Sequence, residues 1–113
     1  MGFLSLGIID RHSALSDLAE FWYVCRKDFP EAGERARWAC NAQIAFSAEA
    51  WRALRAEHRQ FGDKDFRPAH TGYERLCLML KASGEFSEAK KVAAEAEKKG
   101  WSGNWERFKN LST

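Results

Sequence analysis

Apolar residues recur at three- and four-residue spacing through most of the chain, and this periodicity predicts an all-α fold. Leu15, Leu18, Trp22 and Cys25 form one helical stripe, widened by Ala14, Phe21 and Tyr23. Helix 1 is therefore expected from Ser13 to Lys27, covered on more than one side. Ser13 and Ser16 offer capping hydroxyls, and Asp17 suits the positive end of the helix dipole. Helix 2 is expected from Phe29 to Ala45, with Asp28 as its cap and Pro30 in its first turn, where a missing N–H breaks no bond. Its Ala32, Ala36 and Ala39 form a narrow seam against which a neighbouring helix can pack closely. Helix 3 follows the N-cap Ser47 and ends at Phe61, before Gly62. Trp51, Leu54, His58 and Phe61 share one face of it, and Arg52, Arg55 and Arg59 form a basic stripe on the other.

After a polar loop, GDKDFRPAH over residues 62–70, Thr71 and Glu74 stand at the spacing of a capping box. They predict the start of helix 4, whose apolar face is Tyr73, Leu76, Cys77 and Leu80 and whose stop is Gly84. Leu78 and Met79 point elsewhere, so this helix too is expected to pack on two sides. Helix 5 runs from Phe86 to Lys99 with Phe86, Ala89, Ala93 and Ala96 in register and Gly100 as terminator. A short helix 6, Trp105 to Leu111, is expected to fold back over the end of the array, anchored by Trp101, Trp105 and Phe108. The apolar start, MGFLSLGIID, reads as a short strand or extended arm, or as an added first turn of helix 1. It lacks the basic region of a signal peptide and the hydroxyl residue of a myristoylation site. The organisation predicted is one helical domain, 1–113: an arm over 1–12, three helices over 13–61, the loop 62–70, and a hairpin with a capping helix over 71–113.

Composition narrows the classes of function. Eighteen Lys and Arg stand against sixteen Asp and Glu, a net charge of +2. That balance argues against bulk electrostatic attraction to nucleic acid. Three cysteines, an odd number with no short pairings, fit packing residues in a reducing cytoplasm rather than a disulfide scaffold. No stretch approaches the ~20 apolar residues of a membrane span.

Residues 70–103 resemble one tetratricopeptide repeat. The resemblance rests on Tyr73, Leu76, the small Cys77 and Leu80, then the turn Gly84-Glu85-Phe86, then Ala89 and Ala96. Ala93 is small where that family usually has a large residue, and Trp101 stands where it usually has Pro. A weaker echo lies over residues 16–45, where Asp28-Phe29-Pro30-Glu31-Ala32 parallels Glu85-Phe86-Ser87-Glu88-Ala89. The resemblance implies a small protein-interaction module without catalysis. It further implies that the leading helix of the hairpin lines a groove, with Glu74, Leu78 and Lys81 meeting a peptide or partner protein. Self-association through exposed aromatic residues is a competing use of the surface.

Two alternatives come from the residues themselves. Arg52, Arg55 and Arg59 could follow a phosphate backbone, making the chain a nucleic-acid-associated or regulatory protein. A small enzyme or ligand carrier with an aromatic pocket is the other. Against catalysis, the sequence has no phosphate-cradling glycine loop or nucleophile elbow. His12, His58 and His70 are isolated, and no C-x-x-C or H-x-x-x-H occurs, so neither a metal nor another cofactor is expected.

Overall fold

The apolar stripes become six helices: α1 Gly2–Cys25, α2 Ala32–Ala45, α3 Ser47–Gln60, α4 Thr71–Ala82, α5 Phe86–Lys98 and α6 Glu106–Lys109. This computed structural model describes residues 2–62 and 65–111, with side chains from Gly7 onward. The expected loop 62–70 thus includes two residues, 63 and 64, outside the described ones. The described residues are all-α. Their only β-type pairing is an isolated parallel bridge between Ala69 and Ser102, where Ser102 N–H donates to the Pro68 carbonyl at 2.8 Å.

Several boundaries differ from expectation, and α6 is shorter than the expected Trp105–Leu111. The N-terminal segment is neither strand nor arm: α1 is already helical at Gly2 and is 24 residues long. The stripe simply continues, because Ile8 packs on the core and His12 is buried one turn further on. At its other end α1 stops at Cys25, whose carbonyl accepts from both Asp28 and Phe29 N–H. Pro30 disfavours helical geometry at Phe29, so both residues lie in the turn and α2 begins only at Ala32. Asp28 is consequently not its cap; Glu31 holds that position and makes no side-chain capping bond. Likewise Phe46, with φ −118° and ψ 26°, interrupts the chain between α2 and α3, which leaves Ser47 inside α3 rather than capping it.

The small residues decide how closely the helices approach. Ala32, Ala36 and Ala39 of α2 and Ala89, Ala93 and Ala96 of α5 are all fully buried. α1 and α2 form the first antiparallel pair and α4 and α5 the second. In the second, Cys77 Sγ comes within 3.8 Å of the Ala89 carbonyl. Gly84, at φ +80°, makes the turn between them in a conformation that side chains with a Cβ resist. The Leu80 carbonyl there accepts from Glu85 N–H at 2.8 Å, so the carbonyl freed at the end of α4 is satisfied.

α4 is the common wall of the molecule. Leu76, Met79 and Leu80 face a cluster shared with α1 and α2 around Ala19, Ala39 and Cys40. Tyr73 and Cys77 face a second cluster with Trp101, Trp105 and Phe108. α2 and α5 both pack on α4 but hardly on each other, which leaves a valley between them. No helix among the described residues is long and apolar enough to cross a membrane.

Candidate functional site

The valley is a trough of about 490 Å³. α2 supplies Arg37, Asn41 and Ile44, α4 supplies Leu76 and Leu80 with Tyr73 beneath them, and α5 supplies Glu88, Lys91, Val92 and Glu95. Helical spacing accounts for each set. Arg37, Asn41 and Ile44 are three and four residues apart, as are Glu88, Lys91, Val92 and Glu95, so each run forms one bank. The floor is aliphatic and the banks are charged.

Internal pairing already engages part of that charge. Arg37 holds Glu85 at 3.0 Å and Ser83 Oγ at 3.3 Å, closing one end of the trough. Glu85 also accepts from Ser83 Oγ at 2.5 Å, and these contacts hold its carboxyl below the usual range. Toward the other end, the Tyr73 hydroxyl donates to Glu95 Oε2 at 2.6 Å. Burial, followed by that carboxylate, pushes the phenol up, so Tyr73 is a neutral donor rather than an acid–base group. Glu88 and Lys91 have no ion-pair partner among the described residues and stand free on one bank.

The residues expected to line a groove lie on another face of α4. Arg107 of α6 reaches Glu74 at 3.4 Å, and Arg75 reaches it at 3.5 Å. Leu78 is half-buried against the second cluster, and Lys81 is exposed near the end of α4. Glu74 and Leu78 thus lie toward α6, and none of the three lines the trough. The basic stripe of α3 is also divided. Arg55 turns inward, donating from Nη1 to the Phe66 carbonyl and lying 5.1 Å from the Trp51 ring centre. Arg52 and Arg59 stay exposed.

A buried polar junction ties α1, α2 and α4 together. Gln43 continues the alanine seam of α2 and is fully buried. Its Nε2 donates to the His12 carbonyl at 2.9 Å and reaches Ser16 Oγ at 2.5 Å and His12 Nδ1 at 3.3 Å. Its Oε1 accepts from Gly72 N–H at 2.7 Å, which fixes the orientation of the amide. His70 is the actual N-cap of α4: its Nδ1 accepts from Tyr73 N–H at 3.0 Å. The Thr71–Glu74 capping box is thus not formed. Glu74 is drawn to Arg75 and Arg107, and the capping position is one residue earlier than the Thr–Glu spacing indicates.

Accepting at Nδ1 places the His70 proton on Nε2, which is buried and finds no partner of hydrogen-bond geometry. Burial, then the neighbouring His12, pushes His70 down to about 3. His12 is also lowered by burial, opposed by a backbone hydrogen bond with Ala69. The His12 ring stacks on Trp101 at 5.4 Å, while His70 meets Trp101 edge-on at 4.6 Å. Both imidazoles are held neutral and enclosed, so the junction is an architectural joint rather than a solvent-facing acid–base pair. A polar residue on the buried stripe Ala32-Ala36-Ala39-Gln43 is the sequence signal that marks this joint. The trough has no such signal, because its floor and banks come from three helices.

Among the described residues no group of three or more His, Cys, Asp or Glu is placed to hold a metal ion. Cys25, Cys40 and Cys77 are free thiols, and burial pushes Cys40 and Cys77 up to about 12, which removes thiolate character. Comparison with protein-family models, with curated proteins and with solved structures finds no match to this chain.

Proposed function

We propose that this protein is a small non-catalytic interaction module that holds a short amphipathic segment of a partner protein in the α2–α4–α5 trough. The observation that carries the reading is the trough itself: an aliphatic floor between two helices that share a wall but hardly touch each other. A helix or extended peptide laid there would bury apolar residues on Ile44, Leu76, Leu80 and Val92. Glu88 and Lys91 would set its register by pairing with charges of opposite sign. The hairpin of α4 and α5, with large residues facing an alanine seam, supports relating the module to tetratricopeptide-like scaffolds.

Selection of peptides from a displayed library, followed by titration against variants, tests the reading. Asn41→Arg places a long charged side chain in the trough from an exposed position, and Glu88→Lys with Lys91→Glu inverts the free charges of the bank. Each change is expected to weaken a selected amphipathic peptide by about tenfold with the thermal midpoint unchanged. Peptides that bind all these variants as well as the parent would place the interaction elsewhere. A second reading, self-association, is favoured by Phe21, Val24 and Trp38, which are 56%, 61% and 63% exposed. Sedimentation that stays monomeric at high concentration would remove it.

A further inference from the structure

A second site lies around Trp51, away from the trough. This indole separates two clefts. One, of about 330 Å³, is walled by Ser47, Ala48, Trp51, Arg52, Lys99 and Trp101. The other, of about 460 Å³, is lined by Trp51 together with Arg55, Arg67 and Lys98 and the acids Asp65 and Glu97. Arg55, which stacks on Trp51, belongs to the wall of the larger cleft alone.

The charges here are unevenly satisfied. Glu97 is engaged by Lys109, and Lys99 makes one long contact, 3.7 Å, with Glu95. Arg52, Arg67 and Lys98 have no ion pair among the described residues. The smaller cleft contains two cations and no carboxylate. Its geometry is built rather than incidental. Gly100 passes so near that a Cβ there would stand 3.1 Å from Trp51 Nε1, and Trp51 Nε1 donates to the Gly100 carbonyl at 3.4 Å. Trp101 is clamped behind by the stack with His12.

We infer that the smaller cleft binds a small phosphorylated aromatic compound of the mononucleotide class. Trp51, partly exposed, takes the flat ring by stacking, as in nucleic-acid-binding surfaces where aromatic side chains receive bases, and the enclosed Trp101 forms the back wall. Arg52 and Lys99 at the rim neutralise the phosphate, Arg52 with a planar fork suited to its oxygens. The volume lies at the lower end of the range for small-ligand sites, ~300–1,000 Å³, and fits one base with its phosphate rather than a polymer. The same chemistry is carried by a free nucleotide and by one nucleotide of a single strand, and the test separates these sources. The cleft shares no lining residue with the trough, the two being linked by the Lys99–Glu95 contact.

Calorimetric titration of the full chain with adenosine monophosphate is the experiment, with adenosine, inorganic phosphate and a short oligothymidylate as parallel ligands. Adenosine monophosphate is expected to bind, to bind more tightly than adenosine or phosphate, and to weaken as salt rises. Arg52→Glu and Lys99→Glu, both at exposed positions, should each reduce its affinity by about tenfold with the helical fold retained by circular dichroism. Trp51→Phe keeps a ring and should keep part of the affinity, and Asn41→Arg in the trough should leave it unaltered. Absence of binding at millimolar nucleotide, or binding indifferent to Arg52→Glu and Lys99→Glu, overturns the inference. So does oligothymidylate binding far more tightly than the mononucleotide, which would assign the cleft to a nucleic-acid strand.

Discussion

His70 combines two roles that conflict under acid conditions. Its Nδ1 must accept the Tyr73 N–H that begins α4, and its ring lies against His12 and Trp101 with 2% of its surface exposed. A proton added at Nδ1 removes the cap and places a charge in the core. In the unfolded chain the imidazole takes that proton below its ordinary value of 6.5, whereas in the fold it resists until about 3. Between those values the unfolded state binds more protons, so stability falls as pH falls and is level above the window. Each unit descended contributes about 1.4 kcal/mol, or about 2 kcal/mol at pH 5 for His70 alone. Urea unfolding at pH 7 and pH 5 reads this loss. His70→Asn, which keeps a capping acceptor without a titrating group, should flatten the slope. An equally steep slope in that variant would assign the acid sensitivity to other groups. At this scale the sequence was only partly legible. The isolation of the histidines along the chain conceals that the fold gathers two of them on one indole.

Helix faces were the most legible level. The alanine seams of α2 and α5 and the large residues of α4 lie where their spacing places them, because burial of a stripe depends on local periodicity alone. Helix ends were less so: α1 stops in a local turn ahead of Pro30, α2 starts without a side-chain cap, and α4 is capped by His70 rather than Thr71, with Gly72 N–H satisfied from α2 by Gln43. Two glycines within helices show the difference. At Gly33 a Cβ would meet nothing within 4 Å, so Gly33→Ala should stabilise α2 by about 0.5–1 kcal/mol through helix propensity. At Gly72 the same atom would lie 2.6 Å from Gln43 Oε1 and 3.0 Å from the Cys40 carbonyl. Gly72→Ala should therefore destabilise by about 1–3 kcal/mol despite the better propensity, because α4 must move off α2. Chemical denaturation of the two variants compares them directly. Equal gains in both would mean that the α2–α4 contact is looser than described.

The whole molecule measures 43 × 30 × 17 Å, and α1 alone is roughly 36 Å long at 1.5 Å per residue. Its two clusters are not separate bodies, since Ile44, Val92 and Leu111 pack against both. Phe108, on a helix of only four residues, is fully buried in the second. Phe108→Ala should cost about 3–5 kcal/mol, a large part of the ~5–15 kcal/mol that holds such a domain folded. A thermal midpoint close to the parent's would show instead that α6 is a peripheral flap. The trough and the indole cleft were not legible in the sequence, since each is the space left between helices whose relative placement no single periodicity encodes. The spread of tryptophans through this arrangement has an optical consequence. Trp38 is 63% exposed, Trp101 and Trp105 are 3% exposed, and Trp22 and Trp51 lie between. Native emission is therefore a composite, red-shifted at Trp38 and blue-shifted from the enclosed pair. A water-borne quencher extinguishes Trp38 first, leaving the light that reports on the core.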